Sequence, residues 1–149
     1  MSAFGVTGPY RSEESTVRSL SVNLPEVLMA MALDDRPLIC IAEFADGRYI
    51  QFRVASGTTV TEVVSNHYLT DANALSKDDQ EHLRSIGFDE PSTGRSPNWR
   101  HETTNSTGLA DVARMANSAI AVTLHASPSE PVRIRTFEAP GGSKVRGSQ

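Results

Sequence analysis

Four histidines, one cysteine and one tryptophan are the residues of this chain whose types invite a search for chemistry. A metal site draws several ligands into a short-range pattern. His67, His82, His101 and His125 form neither H-E-x-x-H nor any other ligand spacing. His82 follows Glu81 on an expected helix and is expected to face solvent. His101 and Glu102 have the composition of an acid–base pair, but neighbours in a strand point to opposite faces. Cys40 lies in a β-rich run, where a packed thiol is the expectation; a nucleophile needs an activating base or a helix N-terminus, and the sequence offers neither. Asp34-Asp35 before Pro37 reads as a solvated turn, and Asp78-Asp79 as charges suited to a helix start. The GGSK of the tail lacks the strand, glycine spacing and helix of a phosphate loop. No catalytic residue, metal or cofactor is therefore expected. Trp99 is assigned to core packing, with a binding anchor as the alternative.

The elements that must position these residues fit one domain. The chain has 149 residues, and its 14 basic against 18 acidic side chains leave a net charge of -4. A domain of this size buries roughly 70% of the surface its unfolded chain exposes, so it needs no disulfide or metal staple. The acidic balance argues against nucleic acid and anionic membranes as partners. No apolar run approaches the ~20 residues of a membrane span, and the polar start is unlike a secretory signal, so a cytoplasmic location is expected.

Along the chain, residues 1–11 read as a flexible arm, 12–138 as a single domain and 139–149 as a disordered tail. A first helix is expected over Asn23–Leu33, capped by Asn23, with Pro25 in its first turn; a separate helical piece is placed at Ser12–Leu20. The runs PLICIAEF and YIQFRV flank Asp46-Gly47, which predicts a two-residue hairpin turn with Phe44 opposite Tyr49. That register assigns Ile39, Ile41, Ile50, Phe52 and Val54 to the core. It assigns Leu38, Cys40, Ala42, Phe44, Tyr49, Gln51 and Arg53 to a mixed second face. A third strand follows at Thr59–Val64, with Val60 and Val64 on one face and Val63 on the other. Ser76 with Asp79 resembles a capping box for a helix ending at Gly87. A strand containing Trp99 leads to a last helix over Gly108–His125, capped by Ser106 or Thr107, whose Leu109, Val112, Ala116, Ile120 and Leu124 form an apolar stripe. PVRIRTFEA closes the domain as an edge strand or arm. The order α-β-β-β-α-β-α-β predicts an α+β fold, an antiparallel sheet of about four to five strands with helices on one face.

DGRYIQF, SNHYL, IGFDEP and NW, at Asp46–Phe52, Ser65–Leu69, Ile86–Pro91 and Asn98-Trp99, resemble motifs of the bacterial peptide-binding, chaperone-like domains grouped with YbjN and the type III secretion chaperones (TY-Chap). The resemblance spans about residues 23–125, with Ile-Gly-Phe where Leu-Gly-Trp is more typical and a short, alanine-rich last helix. It implies a sheet-and-helix fold that is often dimeric, a bacterial source, and a role in holding polypeptide segments without catalysis. A non-enzymatic chaperone or adaptor for a client polypeptide is thus the expected function. An enzyme or small-ligand protein with an unrecognised site is the alternative. The expected partner-binding residues are Leu38, Phe44, Tyr49, Gln51, Arg53 and Trp99.

Overall fold

The structure is a computed structural model that describes residues 10–55, 57–94 and 96–140. Six antiparallel strands form one sheet, ordered β1-β6-β2-β3-β4-β5. They are β1 (Tyr10–Thr16), β2 (Leu38–Glu43), β3 (Tyr49–Ala55), β4 (Thr58–Val63), β5 (Trp99–Thr104) and β6 (Pro131–Glu138). The helices are α1 (Val17–Ala32), α2 (Lys77–Ile86) and α3 (Asn105–Ser118), the last running on into a π-helical turn at Ala119–Thr123. The α+β class and the placement of helices on one face agree with expectation, with more strands than the four or five expected.

The β2–β3 hairpin sets the faces. Its loop is Ala45-Asp46-Gly47: the Gly47 N–H donates to Phe44 O at 3.4 Å and the Phe44 N–H donates to Arg48 O at 2.9 Å. Gly47 has φ +91, a left-handed conformation that closes a three-residue hairpin loop and that a side chain would strain. The extra loop residue moves the register by one from the expected pairing. Glu43 stands opposite Tyr49, Ala42 opposite Ile50, Cys40 opposite Phe52 and Leu38 opposite Val54. The expected faces of β2 are therefore exchanged. Leu38, Cys40 and Ala42 join Ile50, Phe52 and Val54 in the core, while Ile39 and Ile41 turn outward with Gln51 and Arg53. On β4 the same alternation buries Thr59, Thr61 and Val63 and turns Val60 outward; Val64, expected to share its face, lies past the strand end and is buried.

Four further expectations are corrected. The expected arm reaches residue 11, yet Tyr10 and Arg11 open β1, opposite Phe137 and Thr136; residues 1–9 lie outside the described residues. Ser12–Thr16 is strand rather than helix, because its backbone finds a partner in β6. PVRIRTFEA is neither edge nor arm: β6 pairs with β1 on one side and β2 on the other. At its end Ala139, expected to begin the tail, is buried and donates its N–H to Pro37 O at 2.9 Å; residues 141–149 lie outside the described residues.

Helix α1 begins at Thr16, whose hydroxyl accepts from Ser19 N at 3.2 Å, and runs through Pro25 unbroken. A proline inside a helix removes the donor to the carbonyl four residues back. That carbonyl is Ser21 O, and Asn117 Nδ2 of α3 donates to it at 3.2 Å. A neighbouring helix thus supplies the missing hydrogen bond, so the expected break does not occur. Val17, Leu20, Leu24, Leu28 and Met31 bury one stripe of α1 on the sheet.

Helix α2 keeps the expected capping box, with Ser76 Oγ accepting from Asp79 N and Asp79 Oδ2 accepting from Ser76 N, and ends at Gly87. Helix α3 starts at its cap residue Thr104, earlier than the expected Ser106 or Thr107. Its Gly108 is pressed onto β5: a Cβ there would stand 2.4 Å from Thr103 Oγ1, so only glycine fits. The stripe of Leu109, Val112, Ala116, Ile120 and Leu124 is buried as expected.

Three tests follow from this packing. Phe52→Ala should cost about 3–5 kcal/mol in chemical denaturation. Ala42→Asp should abolish the cooperative transition by burying an unpaired carboxylate, while Ile41→Asp should leave the protein folded; the reverse ranking would restore the two-residue turn. Asn117→Ala should cost about 1–3 kcal/mol with Pro25 present, because Ser21 O is left without a donor. In a Pro25→Ala background the cost should shrink, since residue 25 regains an N–H for that carbonyl; an unchanged cost in the double-mutant cycle would refute the substitution of one donor for the other.

Candidate functional site

The three helices lie against the inner side of the sheet, and among the described residues no element covers the outer side. Strand register orders that side into rows. One runs through Ser12, Arg135, Ile41, Gln51, Glu62 and Arg100. The next runs through Phe137, Ile39, Arg53, Val60 and Glu102. Ile39, Ile41, Tyr49, Gln51, Arg53 and Val60 are all half-buried, in keeping with a pleated surface that keeps one side open to solvent.

The six expected partner-binding residues do not share this face. Tyr49, Gln51 and Arg53 lie on it. Leu38 and Phe44 are on the helix side, 0% and 5% exposed, for the register reason given above. Trp99, 1% exposed, packs on the helix side opposite Val63 on β4, with the Arg84 guanidinium over its ring at 5.5 Å. Ile39, Ile41 and Val60 take the places expected for Leu38 and Phe44. The signal that could have found them is Asp46-Gly47 itself, since a glycine in that conformation closes three-residue loops as well as two-residue ones.

The carboxylates of the open face have named donors. Arg135 grips Glu43 in a two-pronged contact, Nε to Oε1 at 2.9 Å and Nη2 to Oε2 at 2.8 Å. Arg133 holds Glu14 at 2.9 Å, and Arg100 holds Glu102 at 2.9 Å. Asn98 Nδ2 donates to Glu62 Oε1 at 3.3 Å and to the Tyr49 hydroxyl at 2.8 Å. Burial pushes the Tyr49 phenol up from its ordinary value, against the Asn98 hydrogen bond, so it stays neutral. The side chains of Arg53 and Gln51, by contrast, have no hydrogen-bond or ion-pair partner among the described residues.

The motif segments singled out in the sequence meet at one end of the sheet. Asn98 Oδ1 accepts from Ser65 N at 3.1 Å, and Ser65 Oγ donates to Pro97 O. Asn66 Oδ1 accepts from Leu75 N at 2.7 Å while Asn66 Nδ2 donates to Leu75 O at 3.0 Å. These bonds frame a cavity of about 530 Å³ walled by Asn66, His67, Gln80, Pro91, Pro97 and Trp99. The turn of the motif is tied down separately. Arg48 Nε meets Asp46 at 2.8 Å, its Nη1 and Nη2 donate to Leu124 O and Glu130, and it stacks over Phe44 at 5.0 Å.

Two of the histidines, His82 and His125, join elements. His82, expected to face solvent, is half-buried: its Nδ1 meets Thr123 Oγ1 at 2.6 Å and its Nε2 meets Ser118 Oγ at 3.1 Å, joining α2 to the end of α3. His101 points inward and Glu102 outward, as strand alternation requires. Burial lowers the pKa of His101, which favours the neutral ring. His125 Nε2 lies 2.7 Å from Asp79 Oδ1. Cys40 is a buried thiol, and desolvation pushes its pKa up to about 11, so it is inert at neutral pH.

A sheet face that no described element covers, beside a packed helical layer, has the anatomy of a binding domain. Residues 18–130 match the family model described as T3SS (YopN, CesT) and YbjN peptide-binding chaperone 3, TY-Chap3, and the chain belongs to that family. No curated protein and no solved structure matches it. It is therefore a chaperone-like peptide-binding domain.

Asp79 gives this architecture a pH dependence. Burial raises its carboxyl, but the Ser76 N–H, His125 and the Ser76 hydroxyl outweigh that and hold it below the usual range. Its stabilisation is thus complete above the unfolded carboxylate pKa and is lost as pH falls through the lower folded value. Asp79→Asn should cost roughly 1 kcal/mol at pH 7, and the gap to wild type should close in acid. A gap that stays constant in denaturation curves across the acid range would show that the charge contributes nothing.

Proposed function

We propose that this protein holds a client polypeptide against the open face of its sheet, as a secretion-type chaperone or adaptor of the bacterial cytoplasm. The observation that carries the reading is the outer face itself. Ile39, Ile41 and Val60 stand there beside Tyr49, Gln51 and Arg53, with no described helix over them. Apolar side chains interleaved with an aromatic and an arginine are the composition of a protein-binding surface. Membership of a peptide-binding family supports a polypeptide as the class of ligand. Leu38, Phe44 and Trp99 serve it from behind, by fixing the strands whose outer residues make contact. The role is binding rather than catalysis. The two outer edges, β1 and β5, leave room for a second copy to pair, consistent with a homodimer.

The test is a library of displayed twelve-residue peptides selected on the wild-type protein and on Ile41→Asp, with folding checked by circular dichroism. Enrichment on wild type, weakened at least about tenfold by Ile41→Asp, is the expected result. Enrichment that ignores Ile41→Asp but is lost on filling the Trp99 cavity, or no enrichment at all, would overturn the placement on the open face.

A further inference from the structure

We propose that the open face selects a client segment that carries a carboxylate between two apolar residues, and that Arg53 reads the carboxylate. The inference rests on the open face being the client site and adds the chemistry of the client.

Arg53 sits on β3, with strands on both sides, far from either sheet edge. Its direct cross-strand neighbours are apolar, Ile39 on β2 and Val60 on β4, and Ile41 lies on the next row. The face has carboxylates, but each has its own donor: Glu14 takes Arg133, Glu43 takes Arg135, Glu62 takes Asn98 and Glu102 takes Arg100. Arg53 alone among the arginines of this face has no described partner. Gln51, two residues before it and on the same face, is likewise without one, so two side chains with N–H donors stand about 7 Å apart along β3.

A polypeptide laid over Ile39 and Val60 necessarily covers the guanidinium between them. Covering an arginine without pairing it costs more than the apolar contacts return, whereas a carboxylate in the two-pronged geometry restores what water provided. The face therefore rejects a purely apolar or basic segment and favours apolar–acid–apolar spacing on alternate residues. Extended chain presents such spacing on one side. Residues 1–9 and 141–149 contain neither aspartate nor glutamate, so their side chains offer Arg53 no carboxylate. The occupant argued for is another polypeptide. A second copy apposed about an axis near Arg53 would bring two guanidinium groups together, which disfavours a self-paired face.

The probes are three labelled twelve-residue synthetic peptides of alternating valine and serine with glutamate, glutamine or lysine at the central valine position. They are titrated by fluorescence anisotropy against wild type, Arg53→Gln and Arg53→Glu. On wild type the glutamate peptide should bind about tenfold or more tighter than the lysine peptide, with the gap narrowing as salt is raised. Arg53→Gln should erase the gap and Arg53→Glu should invert it. Equal binding of all three peptides, lost in Ile41→Asp, would overturn charge selection and leave the open face as a client site. Failure of all three to bind, while displayed peptides still enrich on that face, would also overturn it. Sedimentation at increasing concentration supplies the remaining arm. A dimer dissolved by Arg53→Glu would assign the face to a second copy and overturn the inference.

Discussion

Everything that faces outward on this sheet depends on the length of one turn. Side chains alternate along a strand, so a single residue more or less in the β2–β3 loop decides which half of β2 meets the helices. Gly47 in its left-handed conformation closes a three-residue loop, and Arg48 clamps it through Asp46, Glu130 and the carbonyl of Leu124. With that length, the small Cys40 and Ala42 lie under the helical layer, where α1 crosses the sheet. The bulkier Ile39 and Ile41 are released to the open face.

The helical layer is held by equally local devices used at long range. Pro25 deprives Ser21 O of its helical donor, and Asn117 replaces it from another helix. His82 ties α2 to Ser118 at the end of α3 and to Thr123 in the π-helical turn, and His125 reaches back to the capping carboxylate of Asp79. His82 and His125 are thus spent on joining elements, while the surface suited to a partner is built from ordinary strand residues.

What could be read in advance was what local chemistry determines. Ser76, Asp79 and Gly87 delimit α2 because a capping box and a terminal glycine act within a few residues. The stripe from Leu109 to Leu124 emerges from helical period alone. Tyr10–Thr16 could not be read as strand, because YRSEEST has no apolar alternation and owes its conformation to β6. Arg133 and Arg135 are accommodated on β6, between β1 and β2, because they point to the open side and meet Glu14 and Glu43. On the candidate site, Tyr49, Gln51 and Arg53 were legible as an amphipathic row. Ile39, Ile41 and Val60 were not, because large apolar side chains suggest core and only the turn length says otherwise.

The seating of β6 between β1 and β2 bears on how the chain comes to be folded. The last of the described strands, made after the other five, fills an interior slot of the sheet between the first strand and the hairpin. Until it arrives, β2 presents an unpaired backbone edge beside exposed Leu38, Cys40 and Ala42, a template for pairing with other chains. The β2–β3–β4 meander can form early from short-range contacts, whereas closure waits on contacts spanning nearly the whole chain, the slow kind. A chain cut short before Pro131 loses an interior strand rather than a tail. Such fragments, and nascent chains on the ribosome, are the forms of this protein most exposed to misassembly.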